Sequence, residues 1–190
     1  MTSDPRDDIM KPNPHLLLHA LLAGLMILVT GCRMPAKPKK FNNTIARGSK
    51  QLGDDARRMQ KAMEPLLKGN TPNPPEVSTA REACDAIKNH LASLIKEADE
   101  IVPPVNSPEG DVLLDKYREY LKKEQEIYDR HFTKMLQIIQ DNRYSLEDKK
   151  TTLTSMLSVV SNDEAPALER LRKAQKAYCK VNEMEDVTGQ

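Results

Sequence analysis

The sequence has no tryptophan, and its 190 residues include only two phenylalanines, five tyrosines and seven glycines. So little turn-forming glycine and strand-favouring aromatic character argues against an all-β enzyme and against a glycine-rich dinucleotide-binding fold. Neither charge is in excess. The 29 Lys and Arg stand against 28 Asp and Glu, a net charge of +1, whereas nucleic-acid binders carry a basic surplus or a basic face. The motifs G-x-S-x-G, H-E-x-x-H and C-x-x-C-H are missing, as is a phosphate-binding loop, which removes the local signatures of several hydrolases and of c-type haem attachment. A ferritin-like di-iron centre needs Glu-x-x-His pairs. The residues three before His90 and His131 are Ile87 and Tyr128. No enzymatic activity is expected.

Long hydrophobic runs are also scarce, and the one that exists is informative. Leu16 to Val29 reads LLLHALLAGLMILV, well short of the ~20 residues a helix needs to cross a hydrocarbon core. A run of this length followed by small residues is the core of an export signal. The next residues complete Val29-Thr30-Gly31-Cys32, which resembles the lipobox of bacterial lipoproteins. That resemblance implies a diacylglyceryl group on the Cys32 sulfur, cleavage just before it, and attachment to a membrane of the cell envelope. The first nine residues carry Asp4, Asp7 and Asp8 against Arg6 alone, but an export signal should begin net positive. A start at Met10, giving MKPNPH before the run, restores that pattern. Residues 1–31 are therefore expected to be the signal and 32–43 a tether, with Arg33, Lys37, Lys39 and Lys40 near anionic headgroups. Arg33, directly after the lipobox, favours the periplasmic face of the outer membrane in proteins resembling enterobacterial lipoproteins.

Beyond the tether, apolar positions recur at helical spacing and no stretch sustains strand alternation. The expectation is an all-α domain over residues 44–184, an antiparallel bundle of four to five helices, with a disordered tail at 185–190. The first helix is placed from Thr44 to Leu67, with Gly48 and Gly53 weakening its stripe and Pro65 ending or kinking it. The second opens on a Thr79-Ala80-Arg81-Glu82 capping box and carries Ala80, Cys84, Ile87, Leu91, Leu94 and Ala98. The third, from about Gly110 to Asp141, carries Leu114, Tyr117, Leu121, Tyr128, Phe132, Met135 and Ile139. Ser145 caps a fourth, and Ser161-Asn162-Asp163-Glu164 reads as the box opening a fifth. Periodicity alone leaves open whether these last two form a hairpin or one kinked rod. Charged residues fall mostly opposite the stripes and read as solvated faces.

With Cys32 lipidated, Cys84 and Cys179 remain, an even pair in an exported domain. If the first helix runs up, the second down and the third up, a hairpin of the fourth and fifth returns Cys179 to the end where Cys84 lies. A Cys84–Cys179 disulfide therefore selects the hairpin, and would stabilise it by roughly 4–5 kcal/mol in the chain-entropy model; two separate core thiols are the alternative. A second arrangement places His90, His131, Met59 and Met156 at similar depths from one end, a set suited to copper or to haem b through axial His and Met. Core methionines and hydrogen-bonded flank histidines account for the same residues. The leading expectation is a lipid-anchored interaction or structural protein. It needs no cofactor beyond the covalent lipid, and its partners are the membrane and an unidentified envelope protein.

Overall fold

The computed structural model describes residues 35–184; the lipobox, Cys32 and the expected tail at 185–190 lie outside them. The described residues are all-helical, with no strand among them. Helix α1 spans Pro38–Leu67, α2 Pro74–Glu100, α3 Pro108–Ile127, α4 Thr133–Gln140 and α5 Leu146–Val181. A π-helical turn, Tyr128–Phe132, joins α3 to α4 without a break, so four rods are formed.

Three boundaries differ from the sequence expectation, each for a local reason. Helix α1 starts at Pro38 rather than Thr44, taking in part of the expected tether. Pro38 occupies the first turn, where its missing N–H costs nothing, and Phe41 three residues on is fully buried, worth about 2–3 kcal/mol. Helix α2 starts five residues before Thr79. Its capping box is Asn73 with Glu76: Glu76 N–H donates to Asn73 Oδ1 at 2.9 Å and Asn73 N–H to Glu76 Oε2 at 2.7 Å. Pro74 and Pro75 fill the first turn, and the Thr79 hydroxyl instead donates to the Pro75 carbonyl. The third difference is the largest. The expected break at residues 161–164 does not occur, and α5 runs as one helix of 36 residues with Pro166 inside it. Ion pairs on either side of Pro166, Asp163 with Lys123 and Arg170 with Glu119, both at 3.7 Å, hold α5 along α3. The hairpin is thereby corrected to a rod.

Other ends close as the residues dictate. Gly69, at φ +80°, stops α1 in the left-handed region that glycine tolerates. Ser107 and Ser145 accept from the N–H groups of Gly110 and Asp148. The buried Lys149 donates its Nζ to the Ile139 carbonyl at 2.9 Å, satisfying an acceptor orphaned at the end of α4.

Cross-helix pairs fix the register. Arg47 of α1 meets Glu97 of α2 at 2.8 Å, and Asp55 meets His90; numbers rise along one helix as they fall along the other. The Arg118 guanidinium donates to the Ala98 carbonyl, and Cys84 Sγ lies 3.8 Å from Tyr128 Oη, tying α2 to α3. Buried Gln175 donates to buried Asn42 at 2.9 Å between α5 and α1. The core is continuous through all of these seams. No helix among the described residues is long and apolar enough to cross a membrane.

Candidate functional site

The seam between α1 and α5 is not filled along its whole length. Ala46, Ser49, Gly53 and Ala56 are spaced by three, four and three residues and so share one face of α1. Opposite them stand Leu168, Leu171 and Arg172 of α5, and the space between is a groove of about 320 Å³. Side chains this small keep α1 from closing on α5. Lys50 and Arg57 of α1 and Arg172 of α5, all exposed, put three cations around it, Arg57 being paired with Asp54.

Tyr120 and Glu164 belong to the same groove and lead to an acid pair beneath it. Glu124 of α3 and Glu164 of α5 face each other, and Tyr120 adjoins the Glu124 carboxyl. One oxygen of that carboxyl, Oε1, is buried with no hydrogen-bond partner. Burial and then the neighbouring Glu164 charge push Glu124 up to about 8, because two carboxylates cannot both ionise cheaply in a poorly solvated site. Burial also raises Glu164, opposed by the charge of Arg172, and raises the Tyr120 phenol far above its ordinary value. At neutral pH the pair therefore holds a proton, and Glu164 is its member that lines the groove.

A larger cleft, about 800 Å³, lies over the junction of α1 and α2 among Arg58, Lys61, Glu64 and Lys68. Its charged walls are exposed and partly spent on each other, as in the Glu64–Lys68 ion pair. It contains no buried titratable side chain.

The residues singled out from sequence fall elsewhere. Val29, Thr30, Gly31 and Cys32 lie outside the described residues. Cys84 and Cys179 are both buried and are not bridged. Cys84 sits beside Tyr128, and burial raises its thiol above the ordinary value. Cys179 follows Tyr178, whose ring packs edge-on against Phe41 and whose hydroxyl donates to Pro38 at the start of α1. From Cys84 that end is ~25 Å away at 1.5 Å per residue, as the continuous α5 requires. The disulfide expected from cysteine parity is replaced by two separate core thiols.

His90 lies half-buried with Nδ1 2.5 Å from Oδ2 of buried Asp55, and Arg58 approaches the other Asp55 oxygen at 4.0 Å. A carboxylate only accepts, so Nδ1 carries the proton. Tyr128 is level with Cys84, which puts His131 level with about residue 81 and ~13 Å along the axis from His90. Met59 is fully buried in the α1 stripe, while half-buried Met156 on α5 lies nearer the level of His131. The two imidazoles thus lie at different levels and are not brought together. No cluster of three or more His, Cys, Asp or Glu suited to a metal ion occurs among the described residues.

Glu124 falls among the charged residues expected on solvated faces and Glu164 in the expected Ser161–Glu164 capping box, yet both lie on the apolar stripes. Tyr117, Leu121, Glu124 and Tyr128 step by four, three and four, and Leu157, Glu164, Leu168 and Leu171 by seven, four and three. A carboxyl on each of two facing stripes was the available signal.

No family model matches the chain, and neither a curated protein nor a solved structure is similar to it.

Proposed function

We propose that this chain is a lipid-anchored antiparallel helical bundle of the cell envelope that acts as a non-enzymatic interaction module. The lipobox Val29-Thr30-Gly31-Cys32 supports the anchor, with Arg33 favouring the periplasmic face of the outer membrane. The opposed registers of Arg47–Glu97 with Asp55–His90, and of Lys123–Asp163 with Glu119–Arg170, support the antiparallel arrangement.

The observation that carries the interaction role is the open α1–α5 groove. A seam lined by small residues, with Tyr120 and Glu164 in its wall and Lys50, Arg57 and Arg172 on its rim, offers hydrogen bonding and positive charge to an acidic partner segment. Photo-crosslinking tests it in the lipidated protein within intact envelopes. A benzophenone side chain in place of Lys50 or Leu168 is expected to form a discrete adduct that Gly53→Trp, which fills the groove, abolishes. The same group in place of Lys96, on α2, should form none. Equal labelling from all three positions, or adducts indifferent to Gly53→Trp, would contradict the groove as the contact surface.

A further inference from the structure

Resting on the reading of Cys32 as the lipid-bearing residue, we propose that one end of the helical domain docks directly on the bilayer, with Val105, Val112 and Val181 set among the phospholipid headgroups. That end is defined by contacts. Ala36 N–H donates to the Val102 carbonyl at 3.2 Å, joining the start of α1 to the α2–α3 loop. Tyr178 Oη donates to the Pro38 carbonyl at 3.4 Å, joining the end of α5 to the same place. Val105 stands in the loop, Val112 early in α3, and Val181 closes α5.

Chain length argues for a membrane as the occupant. Ala36 is already fixed to Val102, so only residues 33–35 separate it from Cys32. Four Cα–Cα steps reach roughly 14 Å when fully extended. A headgroup layer is on the order of 6–7 Å deep, taking half the difference between the whole bilayer and its hydrocarbon core. A diacylglyceryl group on Cys32 therefore holds this end at the headgroups with little room to stand away.

The surface presented there fits that position. The exposed large apolar side chains of the described residues are Val105 at 69%, Val112 at 52%, Val181 at 60%, Tyr144 and Val159. The first three lie at the end where Ala36 meets Val102. Tyr144 belongs to the α4–α5 connection and Val159 to the body of α5. Lys37, Lys39 and Lys40 are exposed beside the point of attachment, where cations favour anionic lipid. Exposed Glu100, Asp111 and Glu183 share this end, so it is the valines, aided by the α1 lysines, that make the contact. In this orientation α1 stands away from the bilayer, and the α1–α5 groove faces the aqueous space.

The absence of tryptophan makes the test clean. Val105→Trp, Val181→Trp and Val159→Trp, each at an exposed site, give single-tryptophan forms of the full-length lipidated protein. They are reconstituted in phosphatidylethanolamine–phosphatidylglycerol vesicles whose acyl chains carry bromine near the headgroup. Emission from Val105→Trp and Val181→Trp is expected to fall at least twofold and shift to the blue, while Val159→Trp is unchanged. Protein that floats with the vesicles but shows no quenching at Val105→Trp or Val181→Trp overturns the docking and leaves the anchor standing. Protein with no lipid on Cys32 overturns both.

Discussion

Gly48 of α1 lies against the hydroxyl of Tyr117 on α3. A methyl group at Gly48 would come within 2.0 Å of Tyr117 Oη. The same hydroxyl is buried and has no hydrogen-bond partner, and burial raises it far above the usual tyrosine range. The glycine that weakens α1 as a sequence is therefore the residue that leaves room for the end of the Tyr117 side chain.

Gly48→Ala should destabilise the fold by about 1–3 kcal/mol through overpacking. Tyr117→Phe removes the orphaned hydroxyl and should be neutral or stabilising by about 1 kcal/mol. In the double variant most of the alanine cost should disappear, a coupling that urea denaturation of all four proteins measures. Strictly additive effects would place the clash elsewhere.

The acid pair makes stability depend on pH in a set direction. Glu124 has its pKa raised in the folded protein to about 8 from an ordinary value of 4.5, so the native state binds its proton more tightly than the unfolded state does. This contribution is complete below about 4.5 and is lost as pH rises through about 8. Urea midpoints should fall between pH 5.5 and 8.5. Glu124→Gln should flatten that slope and exceed the parent by about 1–3 kcal/mol at pH 8.5, with the two close at pH 5.5. A parent profile that is flat or rising over this range would contradict the assignment.

Pro166 tests the continuity of α5. Inside a helix it removes one hydrogen bond and crowds the preceding turn at a cost of ~3 kcal/mol. Pro166→Ala should raise stability by about 1–3 kcal/mol and increase helical circular dichroism slightly. A hairpin turn at residues 161–166 would instead lose stability when its proline is removed.

Alkylation under denaturing, non-reducing conditions should modify both Cys84 and Cys179. In the native protein Cys84 should react slowly, because it is buried and its thiol is raised. A mass two hydrogens lower and resistant to alkylation would restore the disulfide.

Much of this was legible in the sequence, where helical period alone decides burial. All six stripe residues expected on α2, from Ala80 to Ala98, are buried, as are all seven on the third rod from Leu114 to Ile139. On the first helix Ala56, in helical register with Leu52 and Met59, lines the groove instead of being covered, and on the last helix Val181, in register with Tyr178, is exposed. Small residues satisfy a periodic pattern whether or not a neighbour closes over them, and a stripe does not reveal where packing ends. The expected break at Ser161–Glu164 is absent because residues that suit a cap are also compatible with mid-helix positions, where Asp163 pairs with Lys123 of α3. A charged residue ordinarily faces solvent and Glu164 also suits a cap, so neither Glu124 nor Glu164 stands out by type, although their spacing puts both on the apolar stripes. Which seam stays open depends on helix rotation and is not written in any single segment.

The central claim, a helical module held to the membrane through one cysteine, meets its most direct test in metabolic labelling with palmitate. Wild-type protein should carry the label and sediment with envelope membranes, and Cys32→Ala should lose the label and pass to the soluble fraction. Labelling and membrane association unchanged by Cys32→Ala would contradict the account.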